Sequence, residues 1–509
     1  MTYTLPSTAG RPAEPRKIRR NRHAALALVA CAAACAVAGC AGRDRIYEEI
    51  YAHREASFRG WVNEKSGKVE SRDVLRGELS LDECVAIGLV NNKQIAAALL
   101  DEDNAQGKIA EAYAQALPKV DLSGRYSRLD KAPGATVGGQ SVSFGKADNY
   151  TLTASVSQPL FRAGAIGAGI RASRIYSYLS QERFKETKQH VIFSVSRTYY
   201  DVLLAQELLK VSEEAVALSQ THVDDVQKRK DQGQASDYDV LRAKVEVTNY
   251  QAEMIQNRNR LNLLKTSFYK LLGVSQESDV AFAGPLRHEP IDASLDDAVD
   301  AAFTKRPELI QAELSARLYQ ENLKVAKAER WPKADLFFDQ NLASPDPHDS
   351  TSGGWGDSWT AGVSINFPLF DGFKTRGRIR QARADLEKSR VLLADSEETV
   401  LLGVKQAVLS LQDAASFIES QEANVGRARE GLKLIEAGYR EGDKTELEVR
   451  DARQALLKAT ALHYQAVHQY QVAALEFKQA TGSLEAPFGP DSSPQDAKTT
   501  EGGPGAPSR

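Results

Sequence analysis

The sequence predicts an α+β fold that occurs twice along the chain, with short amphipathic strands that lead into very long helices. Three features of the 509 residues predict it: two halves that align with each other, alternating polar and apolar runs, and long stretches without proline. The tripeptide Pro-Leu-Phe stands at 159–161 and again at 368–370, each time after an alternating run. Each half is predicted to be a complete structural unit, because the repeat is far longer than a solenoid unit of about 20–50 residues.

The repeat also predicts the organisation of the chain. SLDECVAIGLVNNKQI (80–95) aligns with SLDDAVDAAFTKRPEL (294–309) at an offset of 214 residues (294 − 80). The Pro-Leu-Phe pair has an offset of 209 (368 − 159), so one five-residue length difference reconciles the two halves. The predicted segments are a signal peptide at 1–39, a lipid-anchored N-terminal linker at 40–79, a first repeat at 80–284, an inter-repeat linker at 285–293, a second repeat at 294–485 and a disordered tail at 486–509.

The N-terminal residues are typical of a bacterial lipoprotein signal. A basic segment, RKIRRNRH, precedes an apolar run at 24–39, and Cys40 follows Val-Ala-Gly. The apolar run is shorter than the ~20 residues of a membrane-spanning helix. We predict cleavage before Cys40 and lipidation of this cysteine. The alternative is an ordinary signal peptide, in which Cys40 is one more small residue.

Composition and motifs exclude several function classes. Cleavage leaves Cys84 as the one other cysteine, so no intramolecular disulfide is expected. The net charge of −3 becomes more negative without the basic signal, which argues against a nucleic-acid partner. GAIGAG (164–169) lacks the order of a dinucleotide-binding fingerprint, and His463 and His468 lack the spacing of a zinc pair. No nucleophile–base constellation stands out, so we predict no enzyme activity, cofactor or metal site.

Each half begins with a helix-like segment, at 81–116 and 295–330, which ends before a proline. Two strand-like runs follow, in which one face is apolar and the other polar. The apolar positions are Val120, Leu122, Gly124, Tyr126, Tyr150, Leu152, Ala154 and Val156, then Ala334, Leu336, Phe338, Trp359, Ala361, Val363, Ile365 and Phe367. The polar positions include Thr151, Thr153, Ser155, Ser364 and Asn366.

The proline-free stretches at 162–232 and 371–441 predict helices ~100 Å long. Turns are predicted at Gly233 and Gly442, followed by returning helices at 235–272 and 444–481. Heptad-like spacing in the returning helices predicts coiled-coil seams. The seam positions are Leu241, Val245, Thr248, Ala252 and Ile255, then Val449, Ala452, Leu456, Ala459, His463, Ala466, Tyr470, Ala473 and Phe477.

Four amphipathic strands cannot close a barrel alone, and an open sheet edge cannot face lipid. Three chains supply twelve strands, an even number within the range of outer-membrane barrels. We therefore predict an α+β membrane protein, in which a trimeric 12-stranded β-barrel leads into long periplasmic helices that pack as coiled coils. Pro159, Phe161, Pro368 and Phe370 are predicted at the strand–helix junctions, where proline suits a strand end and Leu-Phe can pack.

Over about 80–485 the chain resembles the TolC-like outer-membrane efflux protein family. The resemblance rests on the duplicated layout, on PLFRAG and PLFDG, and on two glycine-centred helical turns. It implies a homotrimer in the outer membrane, whose barrel is continued by a long periplasmic α-helical coiled-coil tunnel. The tip of this tunnel is implied to meet an adaptor (membrane fusion) protein and an inner-membrane pump. The lipid signal resembles the branch that serves pumps of the RND type. Ala41 in place of an aspartate implies sorting to the outer membrane.

The resemblance also implies roles for residues at the turns. Its pattern places a channel constriction at Glu448, Asp451, Asp239, Lys444 and Tyr439. It places adaptor contacts at Arg229, Gly233, Gln234, Gly442 and Asp443. In a trimer each carboxylate forms a ring of three, which attracts cations, and like charges held close raise one another's pKa. The alternative is that these are solvated charges on a helical turn. The polar residues after each glycine depart from the small or apolar ones usual in the family.

The predicted function is that of a passive conduit, which exports small molecules such as drugs, toxic compounds or metal ions. One alternative is the outer-membrane exit duct of a type I protein secretion system, which the lipid signal disfavours. Another is a structural coiled-coil envelope lipoprotein without a pore, which needs no polar strand face.

Overall fold

The computed structural model describes residues 47–60, 62, 74–137, 140–143, 145–284, 286, 290–349 and 354–485. The predicted signal peptide, Cys40 and the C-terminal tail lie outside these residues, as do parts of the two predicted linkers. The chain divides into two compact units between Val74 and Leu75. The first unit contains the helix α1 (47–60).

The second unit follows one order of elements in each half. In chain order these are β1 (Arg76–Leu79), α2 (Leu81–Asn91), α3 (Lys93–Ala114), β2 (Lys119–Arg128), β3 (Gly134–Val137), β4 (Gln140–Ser143), β5 (Asp148–Phe161), α4 (Ala165–Asp231), α5 (Asp237–Leu272), β6 (Asp279–Phe282), α6 (Leu295–Lys305), α7 (Pro307–Ala328), β7 (Lys333–Ser344), β8 (Gly356–Asn366), α8 (Lys374–Glu441) and α9 (Glu446–Ala480). Two helices, two long strands and two long helices thus recur, as the aligned halves predict.

The prediction of one continuous helix at the start of each half is wrong, because each segment is two helices. Asn92 breaks the first with an extended backbone (φ −66°, ψ 129°), and its side chain accepts a hydrogen bond from the Gln94 amide. Arg306 breaks the second with φ −70° and ψ 121°. Pro307 follows it, and a residue before proline is disfavoured in the helical region.

The four long strands form one antiparallel sheet in the order β2-β5-β7-β8. Val156 lies opposite both Val120 and Phe338, and Phe338 lies opposite Ala361. Directly opposed residues share a face, so the predicted apolar positions line one side of the sheet across all four strands. Phe337 is an exception on the polar side, where it lies against Gly362. The predicted amphipathic strands are confirmed, and within the described residues β2 and β8 each pair along one edge.

The two Pro-Leu-Phe segments differ in structure. Pro159 lies inside β5 and not at its end, and the register shifts between Pro159 and Phe161. β5 continues there because β7 still pairs with it, and the irregularity accommodates a residue without an N–H. Pro368 lies beyond the end of β8, as predicted. Phe161 and Phe370 are both exposed. Within one chain the Phe370 ring nevertheless packs edge-on against Phe373, directly before α8, with ring centroids 5.5 Å apart.

The proline-free stretches form α4, of 67 residues, and α8, of 68 residues. At 1.5 Å per residue each is ~100 Å long. α5 packs along α4 and α9 packs along α8, so each long helix and its return form a helical hairpin. The long helices and their returns are confirmed.

The seam predicted on α9 is buried or half-buried, but the seam predicted on α5 is not. α9 packs against both α8 and α4, which explains its burial. On α5 the contact with α4 uses Ala243 and Val247 against Val223. The predicted row, which we call the α5 row, stays exposed. It comprises Leu241, Val245, Thr248, Ala252 and Ile255.

An aromatic core holds the base of both hairpins. Phe268 and Tyr199 pack against Phe282, with ring centroids 5.3 and 5.6 Å apart. The Tyr199 hydroxyl donates a hydrogen bond to the Ala283 carbonyl at 2.7 Å. Cys84 is fully buried in this core, and burial raises the pKa of its thiol to about 12. The core fixes α4 near Tyr199, about 50 Å along the helix from its last residue. Within the described residues, none of the helices has the length and apolar character that a membrane crossing requires.

Candidate functional site at the helical turns

The two hairpins end in turns that only glycine adopts easily. Gly233 has φ +75° and Gly442 has φ +86°, in the left-handed region. The Gln234 amide donates to the Arg229 carbonyl, and the Asp443 amide donates to the Gly438 carbonyl, both at 2.8 Å. These bonds close the ends of α4 and α8. The predicted glycine turns are therefore confirmed as turns.

Asp239 lies in the first turn of α5, where it forms a capping box with Ser236. Its carboxylate accepts from the Ser236 amide at 2.9 Å and from the Ser236 hydroxyl at 2.7 Å. The Ser236 hydroxyl oxygen accepts from the Asp239 amide at 3.2 Å. The hydrogen bonds from the Ser236 hydroxyl and amide lower the pKa of Asp239. This carboxylate has a structural role within one chain.

Glu448 has the corresponding place in α9. Its carboxylate accepts from the Thr445 amide at 2.8 Å and from the Thr445 hydroxyl at 3.0 Å. Lys444 donates to its other oxygen at 3.1 Å. The hydrogen bond from the Thr445 amide is the main reason that the pKa of Glu448 is lowered, and the bond from Lys444 adds to it. Within one chain, Lys444 thus contacts its own turn and not a neighbouring helix.

The spacing of these capping boxes is a signal in the sequence. Ser or Thr followed three residues later by an acid marks a helix start. Ser236 with Asp239 and Thr445 with Glu448 have this spacing. A capping function was therefore predictable for both carboxylates and was missed. Asp451 lies one turn further along α9, exposed, with Arg450 at 3.1 Å.

Arg229 and Tyr439 join the ends of the two hairpins. The Arg229 guanidinium lies over the Tyr439 ring, 4.6 Å from its centroid. Such a cation–π contact contributes about 0.5–1 kcal/mol when exposed and more when desolvated. Burial raises the pKa of the Tyr439 hydroxyl, so the ring stays neutral. The structure thus brings a predicted adaptor-contact residue onto a predicted constriction residue.

Three further pairs near the turns were not predicted. His222 of α4 contacts Glu446 of α9 at 2.9 Å. Arg453 of α9 donates two hydrogen bonds to Glu436 of α8, at 3.0 and 3.2 Å. Lys230 pairs with Asp237 across the first turn at 2.5 Å. The last two pairs lie within one hairpin each, whereas the His222–Glu446 pair forms only when the two hairpins pack against each other.

The turns therefore carry half-buried and exposed carboxylates on backbone that glycines and capping boxes hold in place. Within the described residues, no three His, Cys, Asp or Glu side chains come together as a metal site. Long helical hairpins connected to an amphipathic sheet define a class of protein, the envelope channels that are built from both α-helices and β-strands. Residues 87–274 and 298–483 match the family described as outer membrane efflux protein, and the chain belongs to this family.

Individual relatives and solved structures agree with this assignment. The chain is 23% identical to "Probable efflux pump outer membrane protein TtgC" of Pseudomonas putida, over 75% of this chain and 78% of the relative. It is 24% identical to "Alkaline protease secretion protein AprF" of Pseudomonas aeruginosa, over 78% and 83%. The outer membrane channel CmeC of Campylobacter jejuni has a similar fold, with a TM-score of 0.71 at 15% identity, over 82% of this chain and 88% of that chain.

Proposed function

We propose that three copies of this chain form a passive conduit, the outer-membrane channel of a tripartite efflux system. The observation that carries this proposal is the four-stranded sheet with one apolar and one polar face. An apolar sheet face that is exposed to water does not stabilise a protein. The lipid-facing wall of a β-barrel, in contrast, requires an apolar face. The outer edges of β2 and β8 pair with no other described strand, and in three chains these edges supply the strand pairs that close twelve strands.

Aromatic side chains at both ends of the sheet support a bilayer setting. Tyr150 lies next to Tyr126, with ring centroids 5.0 Å apart, at one end. The register shift between Pro159 and Phe161 brings Phe161 opposite Ala334, and so onto the same face at the other end of β5. The eleven steps between Tyr150 and Phe161 span about 36 Å, which a strand tilt of about 40° reduces to a height of about 28 Å. That height is close to the ~25 Å apolar band between the aromatic girdles of outer-membrane barrels.

The helical hairpins supply the periplasmic tunnel of this conduit. The α5 row leaves an apolar stripe at coiled-coil spacing without cover in one chain. A neighbouring copy of the chain is the partner that a closed trimer places there. The alternative, a structural lipoprotein without a pore, gives no reason for a polar sheet face, so the conduit is the better proposal.

The turns are the proposed constriction and partner surface. Glu448, Asp451 and Asp239 form rings of charge in a trimer, which favour cations over anions. The turns at Gly233 and Gly442 meet the adaptor protein, and the complex continues to an inner-membrane pump of the RND type. Lipidation of Cys40 anchors the chain to the outer membrane. Substrates are small molecules such as drugs, toxic compounds or metal ions.

Single-channel conductance in planar bilayers tests the constriction. Glu448→Gln is the sharpest change, because glutamine keeps the capping hydrogen bonds and removes the charge. Combined with Asp451→Asn, it is expected to reduce cation selectivity. Glu397→Gln is a matched control, an exposed acid of α8 distant from the turn along the chain. An unchanged selectivity places the gate elsewhere. No conductance from a folded trimer refutes the conduit.

A second candidate is a protein secretion duct, which the similarity to AprF favours. Both functions use the same conduit, and they differ in the pump and adaptor. Copurification of the tagged protein from its native envelope distinguishes them. An RND-type pump among the partners supports efflux, whereas an ATP-driven transporter with a secreted protein substrate supports secretion.

A further inference from the structure

Helix α1 carries an apolar stripe that its own unit leaves exposed. Every described residue from 47 to 60 is exposed. Tyr47, Ile50 and Tyr51 retain 55%, 49% and 72% of their accessible surface. At about 100° per residue these three side chains fall within an arc of about 100°, and Glu49 lies about 160° from Tyr51. The helix is amphipathic.

A helix of this length needs a surface to lie on. Isolated helices shorter than ~12–15 residues are marginal in water, and residues 47–60 are at that limit. The stability of α1 therefore depends on whatever covers its apolar stripe.

From the stripe and its distance to Cys40 we infer that α1 lies flat in the surface of the phospholipid leaflet that holds the lipid anchor. This inference rests on lipidation of Cys40, which is part of the proposed function. Six residues, 41–46, separate Cys40 from α1. A fully extended chain of that length reaches about 25 Å. A lipidated cysteine lies at the leaflet surface, so the start of α1 cannot leave the neighbourhood of the membrane.

The side chains suit an interface and not a membrane crossing. Tyrosine has an apolar ring and a polar tip, and it is enriched at membrane–water boundaries. Arg54 lies within the stripe, where its long stem can reach the headgroups. The helix is about 21 Å long, short of the ~30 Å hydrocarbon core. It therefore lies on the leaflet as an interfacial helix beside the lipid anchor.

The charges of α1 predict which lipids it needs. Glu48, Glu49 and Glu55 nearly balance Arg54 and Arg59. Binding should therefore come from apolar area and not from attraction to anionic headgroups. Insertion is expected to be the same in phosphatidylethanolamine/phosphatidylcholine nanodiscs and in nanodiscs with added phosphatidylglycerol.

The test uses the full-length lipidated protein in such nanodiscs, with a nitroxide label at Tyr51→Cys or, as the matched control, at Glu49→Cys. Cys84 remains in place, because its buried thiol, with a pKa of about 12, stays protonated and does not take the label. Cys40 takes no label when it is lipidated, and the intact mass confirms the lipid. Power-saturation electron paramagnetic resonance then compares collisions with oxygen, which concentrates in lipid, and with a water-soluble nickel chelate.

We expect the label at 51 to collide more with oxygen and the label at 49 to collide more with nickel. Preference for nickel at both positions overturns the inference, because α1 is then in water. Dipolar broadening between labels at 51 also overturns it, because the stripe is then covered by another copy. Conductance of the labelled protein is recorded in parallel. If the chain forms no conduit, the conductance is absent while the label accessibilities stay as expected. A failure of the proposed conduit is therefore distinguishable from a failure of this inference.

Discussion

We expect polar substitution in the α5 row to separate the chains of the proposed trimer without unfolding them. The variant is Leu241→Ser/Val245→Ser/Ile255→Ser. These three side chains are exposed in one chain, so their loss leaves the contact of α5 with α4 intact. Any loss of stability should therefore appear in assembly.

The size of the effect follows from the exposed fractions, which are 60% for Leu241 and 54% for Val245 and Ile255. Complete burial of such a side chain is worth about 1.5–3 kcal/mol. Covering the exposed half contributes about 1–1.5 kcal/mol per residue, or about 3–4 kcal/mol for the row at each interface. The dissociation constant of each contact is expected to rise roughly 100- to 1,000-fold.

Mass photometry of the purified protein across a dilution series measures this change. Glu253→Ser is the control, because Glu253 is an exposed residue of α5 that lies about 120° from the row. Helix content from circular dichroism should match in all three proteins. If the triple variant dissociates at the same concentration as the unchanged protein, the α5 row does not form a subunit interface.

Three further predictions concern individual groups. Thr445→Ala is expected to destabilise the first turn of α9 by about 1 kcal/mol through loss of the cap, whereas Glu448→Gln keeps the cap. Amide hydrogen exchange at this turn compares the two variants. Equal protection in both contradicts the capping role. The folded-state pKa values of Asp239 and Glu448 are lowered, so their stabilisation is complete above the unfolded values of about 3.9 and 4.3 and is lost as pH falls through the folded values. Protection of the amides at both turns should be constant from pH 7 to about pH 5 and should decrease once the pH is below about 4. If protection is already lost at pH 6, the loss is due to other titrating groups. Cys84, with a pKa of about 12, should resist maleimide at pH 7.5 in the folded protein and react with it after denaturation. Mass spectrometry measures the added mass in both states. Fast labelling of the folded protein contradicts the burial of Cys84.

Much of the fold follows from local patterns. Period-two alternation identified the strands, and the sheet register confirmed which residues share a face, because alternation is a property of each strand alone. The absence of proline identified α4 and α8, and the two glycines identified their ends. The breaks at Asn92 and Arg306 were missed, although Pro307 marked one of them.

Less of the candidate site could be predicted. The position of Asp239 and Glu448 in the first turn after each glycine was correct, but their capping hydrogen bonds were overlooked in favour of a ring of charge. The Arg229–Tyr439 contact joins residues 210 apart (439 − 229) and depends on how the hairpins lie together. The rings themselves involve more than one chain, so they stay a prediction.

By itself the sequence determined the repeated elements, their amphipathic faces and the turn positions, because each depends on residues within a few steps along the chain. Only the tertiary structure decided which apolar row of α5 faces α4, whether Pro159 ends its strand, and which side chains link the hairpins. Heptad spacing specifies a stripe but not its partner, since several registers bury similar area. The choice among them depends on all the helices that pack together, and no single segment contains that information.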